Sequence, residues 1–164
     1  MKLLAYHGKQ EIKDTLLRRI QDHKDADALH RGATGDDGRG CAVVCSLGIP
    51  GQMTRKDYDH SRYPVELGLP EWLARLEDKI FEGMPVESSR EWPSLFASSI
   101  NPGADLEPVR LQLTVLRMGK LLDGLKENRK EYAEKVRYAI QQVIDCCNRD
   151  LTESAAAESA EWSA

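Results

Sequence analysis

Apolar residues recur at helical spacing through most of the chain, separated by clusters of glycine and proline. Ile12, Leu16 and Ile20, for example, fall on one stripe of an amphipathic helix. Stripes of this kind predict helices over approximately residues 9–29, 70–83, 87–99, 106–123 and 128–151. We therefore expect a mainly α protein, an irregular helical domain interrupted by a glycine-rich loop around residues 32–40.

The length of 164 residues fits one domain with its own core, which we place over residues 1–151. Its last two predicted helices form a C-terminal hairpin over 106–151. Residues 152–164 are rich in alanine and serine and carry only acidic charges, so we expect a flexible acidic tail there.

Two short apolar segments, residues 2–6 and 41–47, are the candidate strands. If both were strands, they would pair as one small two-stranded ribbon. The two valines in residues 41–47 favour a strand. Gly40 before the segment, and Gly48 and Pro50 after it, favour a short helix instead. We take the helix as the prediction and keep the ribbon as the alternative.

Composition and charge exclude several classes of protein. A net charge of −4 argues against a dedicated nucleic-acid binder, because binding phosphates requires a basic surface. The sequence contains no run of about eighteen apolar residues, so we expect no membrane span. The first residues lack an export signal, which predicts a cytoplasmic protein whose four cysteines are reduced thiols.

The segment "GRGCAVVCSLG" holds the first candidate site residues, Cys41 and Cys45. In a helix, positions four apart lie about 6 Å from each other at Cβ, close enough to share a metal. A helix start would also place Cys41 where the dipole lowers the pKa of a thiol, which favours Cys41 as a nucleophile. The alternative is that both cysteines are small buried hydrophobes.

A thiol nucleophile needs a general base, and the base needs a group that orients it. His60 lies in a loop with several nearby carboxylates, and His23 lies four residues before Asp27. The candidate catalytic residues are therefore Cys41 with His60 or His23 as the base, and Asp27 as the group that orients His23. The sequence does not choose between the two histidines.

The first helix also suggests a metal site, because its apolar stripe turns polar beyond Ile20. His23, Asp27 and His30 continue that face just before the glycine-rich loop, which leads to the two cysteines. A mixed set of histidine, carboxylate and thiolate ligands suits zinc. The candidate zinc ligands are His23, Asp27, His30, Cys41 and Cys45. The alternative is a hydrated helix end in which Asp27 holds a histidine.

Several motifs together resemble a family of uncharacterised proteins from bacterial and phage genomes. They are "YHGK", "GRGCAVVCSLG", "DHSRYP", "LGLPEWLARLEDKIFEGMP", "EWP" and "NPGADL", and they cover residues 6–106. The family is similar in carrying Gly-Cys-Ala-Val-x-Cys, with a glycine where this chain has Val44. It carries leucine where this chain has Met84. The resemblance implies a coherent folded unit, without an established activity.

Two functions from different classes remain open. The first is a small enzyme with a cysteine-centred site, and the second is a non-catalytic binding protein, such as a phage-type accessory or inhibitor that docks on a host protein. The C-terminal hairpin would be the contact surface for a partner protein or a homodimer. We expect Leu111, Val115, Met118 and Leu122 to form that surface, because they lie off the main stripe of their helix.

Overall fold

A computed structural model describes residues 2–35, 37–125 and 131–161. The helices are α1 (Gln10–Asp25), α2 (Ala42–Leu47), α3 (Tyr63–Glu66), α4 (Glu71–Gly83), α5 (Val86–Ser89), α6 (Trp92–Ser99), α7 (Glu107–Leu125) and α8 (Glu131–Glu161). Single 3₁₀ turns cover Ala5–Gly8, Arg55–Asp57 and His60–Arg62. The prediction of a mainly α fold is confirmed. No helix in the described part of the chain has the length and apolar character needed to cross a bilayer.

The chain divides into two compact units, Met1–Asp105 and Leu106–Ala164. The boundary falls where the predicted hairpin begins. The candidate site residues all belong to the first unit.

The core of the first unit forms around α2, in which every residue is buried. Cys45 N donates to Cys41 O at 3.0 Å and Gly48 N donates to Val44 O at 2.7 Å, so the segment is helical as predicted. A Cβ on Gly40 would lie 2.5 Å from a methyl group of Val44, so glycine is needed before this helix. The alternative ribbon is wrong, because the described residues contain isolated bridges and no strand pair.

Helix α1 ends at Asp25, four residues earlier than the apolar pattern suggested. Ala26 N donates to Asp22 O at 3.0 Å, and Asp27 then takes a left-handed conformation with φ of 51°. The positive φ reverses the chain direction and starts the glycine-rich loop. Residues 27–30 therefore lie outside the helical register on which the predicted zinc set depended.

The second unit is a helical hairpin of α7 and α8. In α7, Leu111 is buried and Val115, Met118 and Leu122 are half-buried, so the predicted contact surface faces inward. The apolar residues exposed on this helix are Val109, Leu116 and Leu121. Val109 and Leu116 are seven residues apart and also share one helix face, so spacing alone does not say which set faces the partner helix.

Helix α8 continues to Glu161, so residues 152–161 of the predicted flexible tail are helical. The physical reason is composition, because alanine has the highest helix propensity and this segment contains several alanines. Residues 162–164 of the predicted tail lie outside the described part of the chain.

Candidate metal centre

Helix α4 buries two acidic residues among its apolar ones. Its buried positions are Leu73, Ala74, Glu77, Asp78 and Phe81. Asp78 and Glu82 are four residues apart and therefore lie on one face of the helix. This face meets Cys41, which occupies the cap position immediately before α2. One ligand atom each from Cys41, Asp78 and Glu82 lies within 4.8 Å of the other two.

The glycine-rich loop holds Glu82 in place. The backbone N–H of Gly32 lies 2.9 Å from both carboxylate oxygens of Glu82, and Arg31 Nη2 donates to Glu82 O at 2.5 Å. Gly32 has φ of +71°, a conformation that residues with a Cβ rarely adopt. The loop thus positions one of the three acidic ligand groups.

Asp78 is 9% exposed, and its two carboxylate oxygens have different surroundings. Oδ2 accepts a hydrogen bond from Tyr58 Oη at 3.1 Å and lies 3.3 Å from His60 Nε2. Oδ1 is buried and has no hydrogen-bond partner. An unpaired carboxylate oxygen in the interior costs free energy, and Oδ1 belongs to a group of three side chains that could hold a metal ion.

The Cys41 thiol is only 1% exposed. Burial raises its pKa well above the ordinary value, and the negative charge of Asp78 raises it further. This direction is opposite to the one expected from a helix start. Helix α2 has only six residues, and the loss of water around the sulfur outweighs the field of so short a helix. Without a cation, Cys41 stays a protonated thiol.

Cys41 and His60 both lie close to one carboxylate, that of Asp78, and the pairing of the two as nucleophile and base stays a prediction. His23, the other candidate base, is fully buried. Its Nδ1 lies 2.7 Å from Arg19 O, while its Nε2 has no partner. Burial lowers the pKa of His23, which keeps the ring neutral.

The other predicted ligands point to different partners. Asp27, the predicted orienting group, is exposed and forms an ion pair with Arg90 at 2.9 Å. His30 Nε2 lies 2.6 Å from Asp27 O. Cys45 donates from Sγ to Gly40 O at 3.4 Å, and burial followed by the charge of Glu77 raises its pKa to about 12. Within the described ranges, the candidate metal-ligand group shares only Cys41 with the predicted zinc set.

Glu77 forms a second buried polar group next to the centre. Its side chain is 1% exposed and accepts a hydrogen bond from Tyr63 Oη at 2.8 Å, while Oε1 has no partner. Burial raises the pKa of Glu77 to about 8, and the nearby charge of Asp78 adds to this effect. Glu77 is therefore mostly protonated at neutral pH.

Four residues of the centre and its surroundings were not predicted from the sequence: Tyr58, Glu77, Asp78 and Glu82. A usable signal existed, because Leu73, Glu77 and Phe81 are spaced by four residues and share one helix face. If Leu73 and Phe81 face the core, Glu77 lies on the same helix face and Asp78 lies beside it. The apolar residues Leu73, Leu76 and Ile80 also form a stripe at helical spacing, and that stripe is rotated by a fraction of a turn and leaves both acids on the surface.

Comparison with known proteins found no matching protein family, no similar curated protein and no similar solved structure. The interpretation of the centre therefore depends on its own geometry.

Proposed function

We propose that the first unit is a metal-binding domain in which Cys41, Asp78 and Glu82 hold a divalent ion, with zinc as the preferred metal. The observation that carries this proposal is the convergence of the three ligand atoms to within 4.8 Å of one another. Ligand atoms in a tetrahedral zinc site lie about 3.5 Å apart, given bond lengths of about 2.0 to 2.3 Å. A small inward movement of the side chains is sufficient to bind the ion.

The electrostatics of the site support a cation. Three groups that are negative when ionised lie close together, and the pKa of Cys41 is raised by burial and by Asp78. A divalent ion reverses this effect, because it stabilises the thiolate and compensates the carboxylates. It would also give the unpaired Oδ1 of Asp78 the partner that it lacks.

The chemistry of the ligand set selects the type of metal. Magnesium and calcium prefer six or more oxygen ligands, and magnesium keeps several waters. A thiolate with two carboxylates in a buried position is better suited to zinc, which accepts sulfur and oxygen ligands in a four-coordinate site.

The same arrangement makes Cys41 a poor nucleophile. Its thiol is buried and its pKa is raised, whereas a nucleophilic cysteine needs a stabilised thiolate that a substrate can reach. The ring of His60 is hydrogen-bonded to Asp78, with Nε2 at 3.3 Å from Oδ2. A metal-ligand role for Cys41 therefore has more support than attack on a substrate by its thiol.

The test is metal binding by the full chain. Protein freed of metal by a chelator is titrated with Co²⁺, whose thiolate charge-transfer absorption reports a bond to sulfur, and then with Zn²⁺ in competition. We expect one ion per chain, and loss of the charge-transfer band in Cys41→Ala. The matched control is Cys45→Ala, which removes an equally buried thiol from the same segment. The absence of binding, or an equal loss in both variants, would contradict the proposal.

A second candidate function is self-association through the hairpin, and it is favoured by an exposed stripe on α8. Tyr132, Val136 and Val143 are 53%, 41% and 42% exposed. Ala139 and the exposed Cys146 complete an alternating spacing of four and three residues, typical of a helix that packs against another helix. A second copy of this chain would bury the stripe by two-fold symmetry.

Light scattering across concentration tests this second function. We expect a dimer that dissociates in Val136→Glu and Val143→Glu, and that persists in Asn148→Glu, which changes an exposed position on a different face. A monomer at all concentrations would exclude self-association and leave docking on a different protein as the role of the hairpin.

A further inference from the structure

We infer that the metal in this centre keeps one coordination position open for an exchangeable neutral ligand, and that Tyr58 and His60 are positioning residues which orient Asp78 toward the metal. This inference rests on the proposed metal-binding function. It adds two residues outside the ligand set and specifies the class of ligand that the centre accepts.

The hydrogen bonds of Asp78 are divided unevenly. Tyr58 Oη and His60 Nε2 both contact Oδ2, at 3.1 and 3.3 Å, and leave Oδ1 bare and buried. Donors on one oxygen fix the plane of a carboxylate and direct the other oxygen at a metal, as outer-sphere partners do in metal sites. Oδ1 of Asp78 is therefore the ligand atom.

The two donors also hold each other in place. The rings of Tyr58 and His60 meet edge to face, with centroids 5.3 Å apart and an interplanar angle of 69°. The side chain of His60 is 12% exposed, so packing restricts its rotation. Such a pair holds Asp78 in one orientation before the metal arrives, which lowers the entropic cost of binding.

The tautomer of His60 follows from its partner. A carboxylate oxygen only accepts, so the contact with Oδ2 requires a proton on Nε2. A nitrogen that carries a proton has no lone pair for a metal, and His60 is then not a ligand through Nε2. The protein supplies three ligands and the fourth position of a tetrahedral ion stays open, as in catalytic zinc sites.

Charge determines what occupies the open position. Three anionic ligands around a divalent ion leave the centre with a net charge of −1, which disfavours a further anion in a site of low polarity. Water, or a neutral nitrogen donor such as imidazole, carries no such penalty. Tyr58 is 41% exposed and Glu82 is half-buried, so a small exchangeable ligand would enter from their side of the cluster.

The experiment uses the full chain loaded with Co²⁺. We expect imidazole to shift the visible ligand-field bands in a saturable way, and azide at the same concentration to leave them unchanged. Tyr58→Phe and His60→Ala should each weaken the affinity for Co²⁺ by about 10- to 100-fold while the thiolate charge-transfer band of the saturated protein keeps its position. His60→Gln should recover part of the affinity, because its amide can donate to Oδ2.

Tyr138→Phe and His30→Ala are the matched controls, since Tyr138 lies in the second unit and His30 outside the cluster. Melting temperatures of the metal-free variants separate folding defects from metal affinity. If imidazole has no effect, or if His60→Ala changes the ligand-field bands of the saturated protein, the centre is closed with His60 as a fourth ligand and the inference is overturned. It is also overturned if both positioning variants bind Co²⁺ as tightly as the original protein. If the original protein binds no Co²⁺, the proposed function itself fails, and the inference fails with it.

Discussion

Glu77 should make the stability of the metal-free protein depend on pH in a way that one substitution removes. Its side chain is 1% exposed, hydrogen-bonded through one oxygen to Tyr63, and without a partner at the other. Burial raises the pKa of Glu77 from 4.5 to about 8. The folded protein therefore keeps a proton that the unfolded chain loses at a lower pH.

The sign and size follow from this difference. Because the pKa is higher in the folded state, the stability contributed by the neutral carboxyl is fully present below pH 4.5 and is lost as the pH rises toward 8. Each pH unit in that window lowers the free energy of unfolding by about 1.4 kcal/mol, and by less close to either pKa, so the loss between pH 5 and pH 8 is about 3 to 4 kcal/mol. Glu77→Gln cannot ionise, and its unfolding free energy should lack this loss.

Urea denaturation at several pH values, with chelator present, measures the effect. At pH 5 the glutamine variant should be slightly less stable than the original protein, because its amide must place an N–H where Oε1 has no partner. At pH 8 the difference in unfolding free energy should have shifted in favour of the variant by about 3 to 4 kcal/mol. Glu87→Gln changes an exposed glutamate and is the control. Parallel profiles for the original protein and Glu77→Gln would refute the reasoning and show that Glu77 ionises in the folded state without penalty.

Two further predictions concern the backbone and the thiols. Gly68→Ala should lower the free energy of unfolding by at least about 2 kcal/mol, since φ is +63° and the new Cβ would lie 2.3 Å from Leu4 O. Gly83→Ala, where a Cβ meets nothing within 4 Å, should be nearly neutral, and equal effects in a denaturation assay would contradict this account. In native protein without metal, Cys146 should alkylate first and Cys41 slowly, because Cys146 is the exposed cysteine and the other three are buried. Mass-mapped alkylation that labels Cys41 as fast as Cys146 would show that the cysteine centre is open.

The order of the helices could be predicted from the sequence because each depends on residues close together in the chain. The apolar stripe of α1 and the proline and glycine that bound α4 are local signals. The same holds for α2, whose flanking Gly40 and Gly48 predicted a helix against the preference of two valines for a strand. These boundaries are set by backbone propensity and capping, which need no knowledge of the rest of the fold.

The side of each helix that becomes buried was decided by tertiary structure. Helix α7 carries two sets of apolar residues. Leu111 of one set is buried, whereas Val109 and Leu116 of the other set are exposed. In α4 the buried face is rotated by a fraction of a turn from the face that the hydrophobic pattern predicts. The buried face therefore includes Glu77 and Asp78. Acidic residues enter a core only where other elements supply partners, and those partners are distant in sequence.

The centre itself shows this division most clearly. Cys41 and His60 were identified as candidates from their residue types and their loops, but the carboxylate that joins them, Asp78, belongs to a helix that appeared purely structural. Three segments around residues 41, 60 and 78 meet because α2, the 3₁₀ turn at His60 and α4 pack together. A sequence specifies which side chains can bind a metal, whereas only packing between distant segments brings their ligand atoms within a few ångströms of one another.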